Sequence, residues 1–262
     1  MRWMLIILAL GCSAGHYSSK GKAALDDHDL AKAEKHFRAG LGREPNHIDS
    51  LSGLGWVYLL AGQPDAASAA FGHCLDVSPK ELECLRGSAG VASARGNPVL
   101  ARKHLDRAVS LSPHHAGVQS SLALLELAAG EVDAAINRYQ SLVDREPQRM
   151  EYRMGIAEAL IRAKRYEEAL SQIEVGLELP EGPKRSRAVL FQAQGRALVA
   201  TASRRLDPAD CQGSASPVLA WLDAADQAVQ SADGMGVELP DLPVVKRRVR
   251  RQRARVAELC PK

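Results

Sequence analysis

Aromatic residues and an excess of charge of either sign are both scarce in this chain of 262 residues. It contains only three tryptophans, five tyrosines and three phenylalanines, and its 34 basic and 31 acidic residues leave a formal net charge of +3. Because a balanced surface does not attract polyanions as a whole, any nucleic-acid binding would have to be local. Alanine- and leucine-rich stretches stand where a sheet protein would have valine- and isoleucine-rich runs, and this favours an all-helical fold.

The apolar run at the N-terminus is too short to span a membrane. It covers only residues 3–10, whereas a spanning helix needs about 20 residues. A short apolar run after a positive start is typical of a signal peptide, which we predict for residues 1–11. The run ends at 9–12 in Ala-Leu-Gly-Cys, which resembles a bacterial lipobox. The resemblance implies that Cys12 is diacylated and becomes the first residue of the mature protein.

Lipidation of Cys12 would hold the protein on a membrane, because two or three acyl chains anchor stably where one alone is marginal. Ser13 follows where an aspartate would imply retention at the inner membrane. Resemblance to enterobacterial sorting signals therefore implies the periplasmic side of the bacterial outer membrane. A secretory signal without lipid, or an apolar start without any sorting role, are the alternatives.

The four remaining cysteines are an even number, as expected for two disulfides in an oxidising compartment. Three pairings are open, and we favour Cys74 with Cys84 and Cys211 with Cys260. The first pair flanks a turn between successive predicted helices, and the second would join a loop to the C-terminal helix. Four buried thiols that pack as small hydrophobic groups are the alternative.

An internal repeat organises most of the chain. Prolines recur at 45, 79, 113 and 147, which is a period of 34 residues. Two further columns keep this period, an alanine at 33, 67, 101, 135 and 169 and a large residue at Phe37, Phe71, Leu105, Tyr139 and Ile173. Small residues at helical spacing let two helices approach closely, while the large residue fills the space beside them. Glycine followed by proline at 62–64 and 96–98 marks the turn, so each unit is predicted to be a helical hairpin.

These columns resemble the tetratricopeptide repeat family. The resemblance implies an all-α, right-handed α-solenoid with an array at 12–183. Within 184–262, apolar spacing and turn residues predict a degenerate sixth hairpin with a loop insertion at Leu206 to Pro217, followed by a basic capping helix. The five clear repeats are 14–47, 48–81, 82–115, 116–149 and 150–183. The chain departs from the family pattern in lacking its usual tryptophan column.

In this family the first helices line a groove that binds peptides or protein surfaces. Carried over by position, the groove residues are Ser52, Trp56, Leu59, Leu60, Arg86, Gly90, Ser93, Ser120, Leu124, Leu127, Met154, Glu158, Ile161 and Arg162. This surface is largely apolar and lacks the lysine and asparagine pair with which the chaperone-binding branch grips a carboxylate. Trp56 is the preferred anchor, since tryptophan is enriched among residues that dominate interface energy. The alternative is that Trp56 and Leu59 pack between neighbouring hairpins.

The last predicted helix, 244–259, is strongly basic, with seven cations among residues 246–255. A solvated face explains such a run, and so does attraction to anionic lipid headgroups. The second interpretation predicts a contact made by Arg247, Arg248, Arg251 and Arg255. No nucleic acid is expected as a partner, because no DNA- or RNA-binding motif accompanies the charge.

Motifs for catalysis, metals or cofactors are missing from the sequence. The histidines are scattered, no metal-ligand spacing occurs, and no phosphate-binding loop is complete. We therefore expect a non-enzymatic scaffold that assists assembly of an envelope machine. The layout of lipobox, tether and about six hairpins resembles the pilotin-type factors of the type IV pilus secretin. A soluble regulatory adaptor or co-chaperone without a lipid anchor is the alternative.

Overall fold

The computed structural model describes residues 13–180, 183–207 and 209–261. The predicted signal peptide and lipidation site Cys12 lie outside these residues. Within them the chain forms thirteen α-helices and no strand, and the first twelve helices form six consecutive hairpins. The prediction of an all-α fold built from helical hairpins is therefore confirmed.

The helices alternate between a first and a second member of each hairpin. The first helices are α1 (Ala14–Asp26), α3 (Ile48–Leu60), α5 (Leu82–Ala94), α7 (Ala116–Ala129), α9 (Met150–Arg162) and α11 (Lys184–Arg205). The second helices are α2 (Leu30–Arg43), α4 (Pro64–Val77), α6 (Pro98–Leu111), α8 (Val132–Arg145), α10 (Tyr166–Glu178) and α12 (Cys211–Gly234). A last helix, α13 (Leu242–Leu259), follows the sixth hairpin.

The chain divides into two compact units between Val118 and Gln119. In the first unit, α3 packs on both α1 and α5 as well as on its hairpin partner α4. In the second unit, α11 packs on α9, α10, α12 and α13. First helices therefore stack on one another within each unit, which places their exposed residues side by side.

The core of the first unit is built around two phenylalanine rings on second helices. Phe37 and Phe71 are fully buried. A Cβ added at Gly21 would lie 2.6 Å from the Phe37 ring, and one added at Gly55 would lie 2.6 Å from the Phe71 ring. Gly53 and Gly87, on the following first helices, approach the same two rings even more closely. Each ring thus occupies space that only glycines leave open on the first helices of two hairpins.

One residue in the turn of each of the first five hairpins has a left-handed backbone. These residues keep the 34-residue period and are His28, Gly62, Gly96, Gly130 and Lys164, with φ between 60° and 83°. Next to Gly96, the Asn97 side chain accepts a 3.0 Å hydrogen bond from the amide of Leu100 and caps α6. A left-handed residue followed by a capped helix reverses the chain within a few residues, which keeps the two helices of a hairpin in contact.

Both cysteine pairings favoured by the sequence are present as disulfides. Cys74 and Cys84 join α4 to α5 across the boundary of two hairpins, with their Cα atoms 6.2 Å apart. Cys211 and Cys260 join the start of α12 to the end of α13, with their Cα atoms 5.3 Å apart. The second disulfide ties the capping helix to the sixth hairpin.

The sixth hairpin differs from the sequence prediction. The loop insertion predicted from Leu206 to Pro217 was wrong in its second half, because α12 begins at Cys211 and contains Pro217. Asp210 caps the helix by accepting a 3.0 Å hydrogen bond from the amide of Gly213. Ser214 adds a 2.7 Å hydrogen bond to the carbonyl of Asp210. Residues that indicated a loop therefore serve as the helix start, and the disulfide at Cys211 holds that start in place.

Replacing Gly96 by alanine is expected to lower the free energy of unfolding by about 1 kcal/mol, because a Cβ disfavours the left-handed backbone. No atom lies within 4 Å of the new Cβ, so crowding would not contribute. Gly72→Ala, in the middle of α4 and equally uncrowded, is the matched control and should be neutral or stabilising. Urea denaturation measures both variants. Equal destabilisation by the two would contradict the backbone explanation.

The two disulfides should differ in their contribution to stability, because they close loops of different length. The separations of 10 and 49 residues correspond to about 2.7 and about 4.1 kcal/mol of loop entropy. Cys211→Ala/Cys260→Ala should therefore destabilise the protein more than Cys74→Ala/Cys84→Ala. Denaturation with and without dithiothreitol separates the cross-link from the loss of packing, since only the cross-link disappears on reduction. For each double variant, the loss of stability in oxidising buffer minus the loss in dithiothreitol measures the contribution of its disulfide. A larger contribution from Cys74–Cys84 than from Cys211–Cys260 would show that loop entropy is not the main contribution.

Candidate functional site

The predicted anchor of the first unit, Trp56, packs against an aromatic ring and a guanidinium group. Its ring lies edge-on to Phe71, with centroids 5.4 Å apart and planes at 76°. The guanidinium of Arg86 lies 4.5 Å from its centroid. The indole nitrogen is buried without a hydrogen-bond partner among the described residues. Trp56 thus packs between α3, α4 and α5 while part of its surface stays exposed, and its role as a binding anchor remains a prediction.

Arg86 is held in place by its own helix. It forms an ion pair and two hydrogen bonds with Glu83, one turn earlier on α5. Its charge is therefore balanced locally, and its planar face is available to the Trp56 ring. The contact with Trp56 and the ion pair with Glu83 together give the first unit an aromatic surface whose cation is locally balanced.

The other predicted residues of the first unit are distributed around this aromatic surface. Ser52 is buried and bonds to the backbone of its own helix, so it contributes little to any contact. Leu59 packs against Gly90, where an added Cβ would lie 2.8 Å from a Leu59 methyl group. Ser93 is exposed. Leu60 is 51% exposed, which makes it the most accessible large apolar side chain on the first helices of this unit.

Predicted groove residues of the second unit also divide into structural and accessible ones. Ser120 shares a hydrogen bond with the phenol of Tyr139. Burial raises the pKa of that phenol to about 12, although the hydrogen bond acts to lower it. Leu127 is buried, whereas Leu124 is 58% exposed. A phenol with so high a pKa stays neutral at physiological pH, so this pair is part of the packing of α7 on α8. Leu124 is the accessible apolar residue.

A network of ion pairs on α9 and α11 continues the surface of the second unit. The carboxylate of Glu158 accepts hydrogen bonds of 2.9 Å from Arg162 and 2.7 Å from Arg196. Met154 is partly buried, and Ile161 is buried. The structure brings Glu158 and Arg162 together, as their one-turn spacing predicts. Arg196 was missed because the sixth hairpin was treated as degenerate, although its position on the first helix α11 was the available signal.

The basic residues of α13 fall into two groups. Lys246 pairs with Asp233 at 2.9 Å, and Arg253 pairs with Asp223 at 2.6 Å and Asp226 at 2.7 Å, all on α12. These two cations fasten the capping helix to the sixth hairpin. The other five, Arg247, Arg248, Arg250, Arg251 and Arg255, are exposed.

The described part of the chain contains neither a candidate metal cluster nor a candidate membrane-spanning helix. There, no three His, Cys, Asp or Glu side chains are grouped so that they would hold a metal ion. None of its helices combines the length and the hydropathy that crossing a bilayer requires.

Comparison with known families agrees with the hairpin geometry. A family profile described as tetratricopeptide repeat matches residues 19–72 and 120–183. These segments cover hairpins of both units. Over these two segments the chain is built of tetratricopeptide repeats.

Curated relatives of this repeat protein share only part of its length. The photosystem I assembly protein Ycf3 of Synechococcus is 31% identical over 96 residues, which are 36% of this chain and 56% of Ycf3. Cellulose synthase 2 operon protein C of Komagataeibacter xylinus is 34% identical over 85 residues, which are 32% of this chain and 6% of that protein. The match therefore spans about half of Ycf3 and a small part of the second relative.

Solved structures show the same fold at low sequence identity. A tetratricopeptide repeat protein from Parabacteroides merdae has a TM-score of 0.67 and 16% identity, covering 90% of this chain and 84% of its own. The protein TTC0263 of Thermus thermophilus has a TM-score of 0.63 and 20% identity, covering 69% and 98%. PilF of Pseudomonas aeruginosa has a TM-score of 0.53 and 16% identity, covering 83% and 89%. Folds of this kind are typically non-catalytic and bind protein or peptide partners, so the repeat array supports a protein-interaction scaffold.

Proposed function

We propose that this protein is a lipid-anchored interaction scaffold on the periplasmic side of a bacterial outer membrane, where it assists assembly of a multiprotein envelope machine. The observation that carries the scaffold role is the stack of first helices in each unit, with exposed apolar side chains at Leu60 and Leu124. Exposed apolar groups beside polar ones are typical of surfaces that bind proteins.

The compartment is supported by the N-terminal sequence and by the disulfides. Cys12 follows a short apolar run, as in the lipobox that it resembles. Two disulfides join pairs of helices, and disulfides persist in oxidising compartments such as the periplasm. A cytosolic adaptor would be expected to keep these thiols reduced.

The kind of machine is suggested only by resemblance. The layout of the sequence resembles pilotin-type factors, which makes a type IV pilus secretin the first partner to test. PilF supports a common fold at its 16% identity. A relative named for assembly of photosystem I is consistent with a role in assembly.

Mass analysis of the intact protein from a membrane fraction tests the anchor. We expect a mature chain that begins at Cys12 and carries the mass of a diacylglyceryl group, because the lipobox resemblance implies cleavage before that cysteine. Cys12→Ser should remain unprocessed and leave the membrane fraction on salt washing. An unmodified full-length chain in the cytosol would contradict the anchor and favour the soluble adaptor.

Exposed leucines of the first helices provide a test of the binding surface that spares the core. Leu60→Ser/Leu124→Ser should reduce recovery of envelope partners in pull-downs from solubilised membranes by about tenfold, since each removes accessible apolar area. Trp56→Ala is less decisive because it would also remove packing on Phe71.

The matched control for these leucines is Val99→Ser/Leu219→Ser on the second helices α6 and α12, where both residues are also exposed. This control should bind as the wild type does, and all three proteins should unfold at similar urea concentrations. Equal recovery with the Leu60/Leu124 variant and the wild type would exclude the first-helix surfaces of the two units as binding sites.

A further inference from the structure

A basic pocket opens in the second unit between α11, α13 and the turn from α9 to α10. It encloses about 460 Å³. Five of its lining residues are cationic and none is acidic. The lining consists of Lys164, Tyr166, Arg196, Val199, Ala200, Ser203, Arg204, Arg248, Arg251 and Gln252.

The charge of this pocket is largely unbalanced within the described part of the chain. Only Arg196 has a carboxylate partner there, Glu158 at 2.7 Å. Arg204 donates a 3.1 Å hydrogen bond to the carbonyl of Lys164 and lies 5.5 Å from the centroid of the Tyr166 ring. Arg248 and Arg251 are exposed on α13, and neither forms an ion pair with a described carboxylate. Cations converging on one cavity attract an anion, and the guanidinium is suited to a planar carboxylate.

A neighbouring cavity shows what a balanced charge cluster looks like in the same unit. It shares Lys164, Tyr166 and Arg204 with the basic pocket, and it is also lined by two carboxylates. There Glu167 pairs with Arg205 at 2.9 Å and Glu168 pairs with Arg165 at 2.6 Å. The lack of any such carboxylate in the basic pocket is therefore a property of that pocket and not of the whole surface.

Gln252 supplies an independent observation. Its side chain is 7% exposed, and its amide nitrogen is buried without a hydrogen-bond partner among the described residues. Leaving a buried donor unpaired is unfavourable, and because Gln252 lines the pocket, an acceptor atom of a ligand bound there would pair with it. Gln252 thus points to a ligand that carries oxygen acceptors.

We propose that this pocket binds an acidic segment of a protein partner, with carboxylates held by Arg248 and Arg251. Tyr166, Val199 and Ala200 provide an apolar surface beside the cations, which suits an apolar residue next to an acidic one better than a free phosphate. Glu158, held by Arg162 and Arg196 on the same helices, shows this pairing within the chain. The proposal rests on the scaffold function and gives the chemistry of its partner.

Fluorescence polarisation with a short labelled peptide that alternates aspartate and leucine tests the pocket on the full chain. The same peptide with asparagine in place of aspartate should not bind. Arg248→Glu/Arg251→Glu should weaken binding of the aspartate peptide at least about tenfold, and Arg248→Gln/Arg251→Gln should weaken it less. Binding should also weaken with added salt, because it depends on exposed charges.

The matched control is Arg247→Glu/Arg250→Glu, which makes the same change of charge on the same helix outside the pocket. It should bind within about twofold of the wild type. Equal loss in both double variants would show a non-specific charge effect and overturn the proposal. So would the absence of peptide binding by the wild type at millimolar concentration.

Two further probes distinguish other anions from an acidic peptide. Inorganic phosphate and vesicles containing phosphatidylglycerol are titrated against the same proteins. Binding of either that requires Arg248 and Arg251, without binding of the peptide, would replace the proposal by a phosphate or lipid-headgroup site. These assays use no natural partner, so the peptide titration and the pull-down test separate claims. If the peptide does not bind, the pocket proposal fails and the pull-down result is unaffected. If the pull-down fails, the scaffold function fails and the peptide titration still tests the pocket.

Discussion

The arrangement of this protein depends on one packing constraint, a large side chain on a second helix that fills the space left between first helices. Phe71 shows it most clearly, since Gly55 and Gly87 both lie against its ring. Tyr139 meets Gly155 in the same way in the second unit. Where the second helix carries the smaller Ile173, the position equivalent to Gly155 is Val189. An aromatic ring on the second helix is therefore accompanied by glycine on the first helix, and a smaller side chain by a larger residue there, because a packed core leaves no spare volume. This fit sets how closely first helices approach and thus where their exposed residues lie.

The hairpins were predictable from the sequence because the residues that satisfy this packing constraint recur in five successive repeats. A period of 34 residues in alanine, proline and large residues is visible without any structure, and the turn glycines follow it. The sixth hairpin departs from this repeated pattern, so each of its local sequence signals had to be interpreted by itself. Pro217 then indicated a loop, whereas capping by Asp210 and the disulfide at Cys211 extend the helix past it. Tertiary restraints overrode a local preference there, and no periodicity was available to show it.

For the candidate site, the sequence predicted only which positions of the repeat lie on the first helices. Position in the repeat placed Leu60, Leu124 and Glu158 on first helices, and these are exposed or paired there. The sequence did not separate accessible residues from buried ones such as Ser52 and Leu127, because that depends on which side of a first helix its neighbours cover. The basic pocket was missed for a different reason. Its cations span 164–251 in the sequence, and they converge only because Val245, Val249 and Val256 bury one side of α13 and turn Arg248 and Arg251 outward.

The two units consequently offer different chemistry to a partner. In the first unit Arg86 is neutralised by Glu83 and stacked on Trp56, so that surface contributes through apolar and aromatic contact, which salt hardly weakens. In the second unit most cations around Gln252 have no carboxylate partner among the described residues, so the proposed site there would act through charge, which salt screens over about 8 Å at physiological ionic strength. Charged contacts govern the rate of encounter and the choice of partner more than the final affinity. The surface of the second unit is therefore suited to selecting a partner, and the surface of the first unit to holding one.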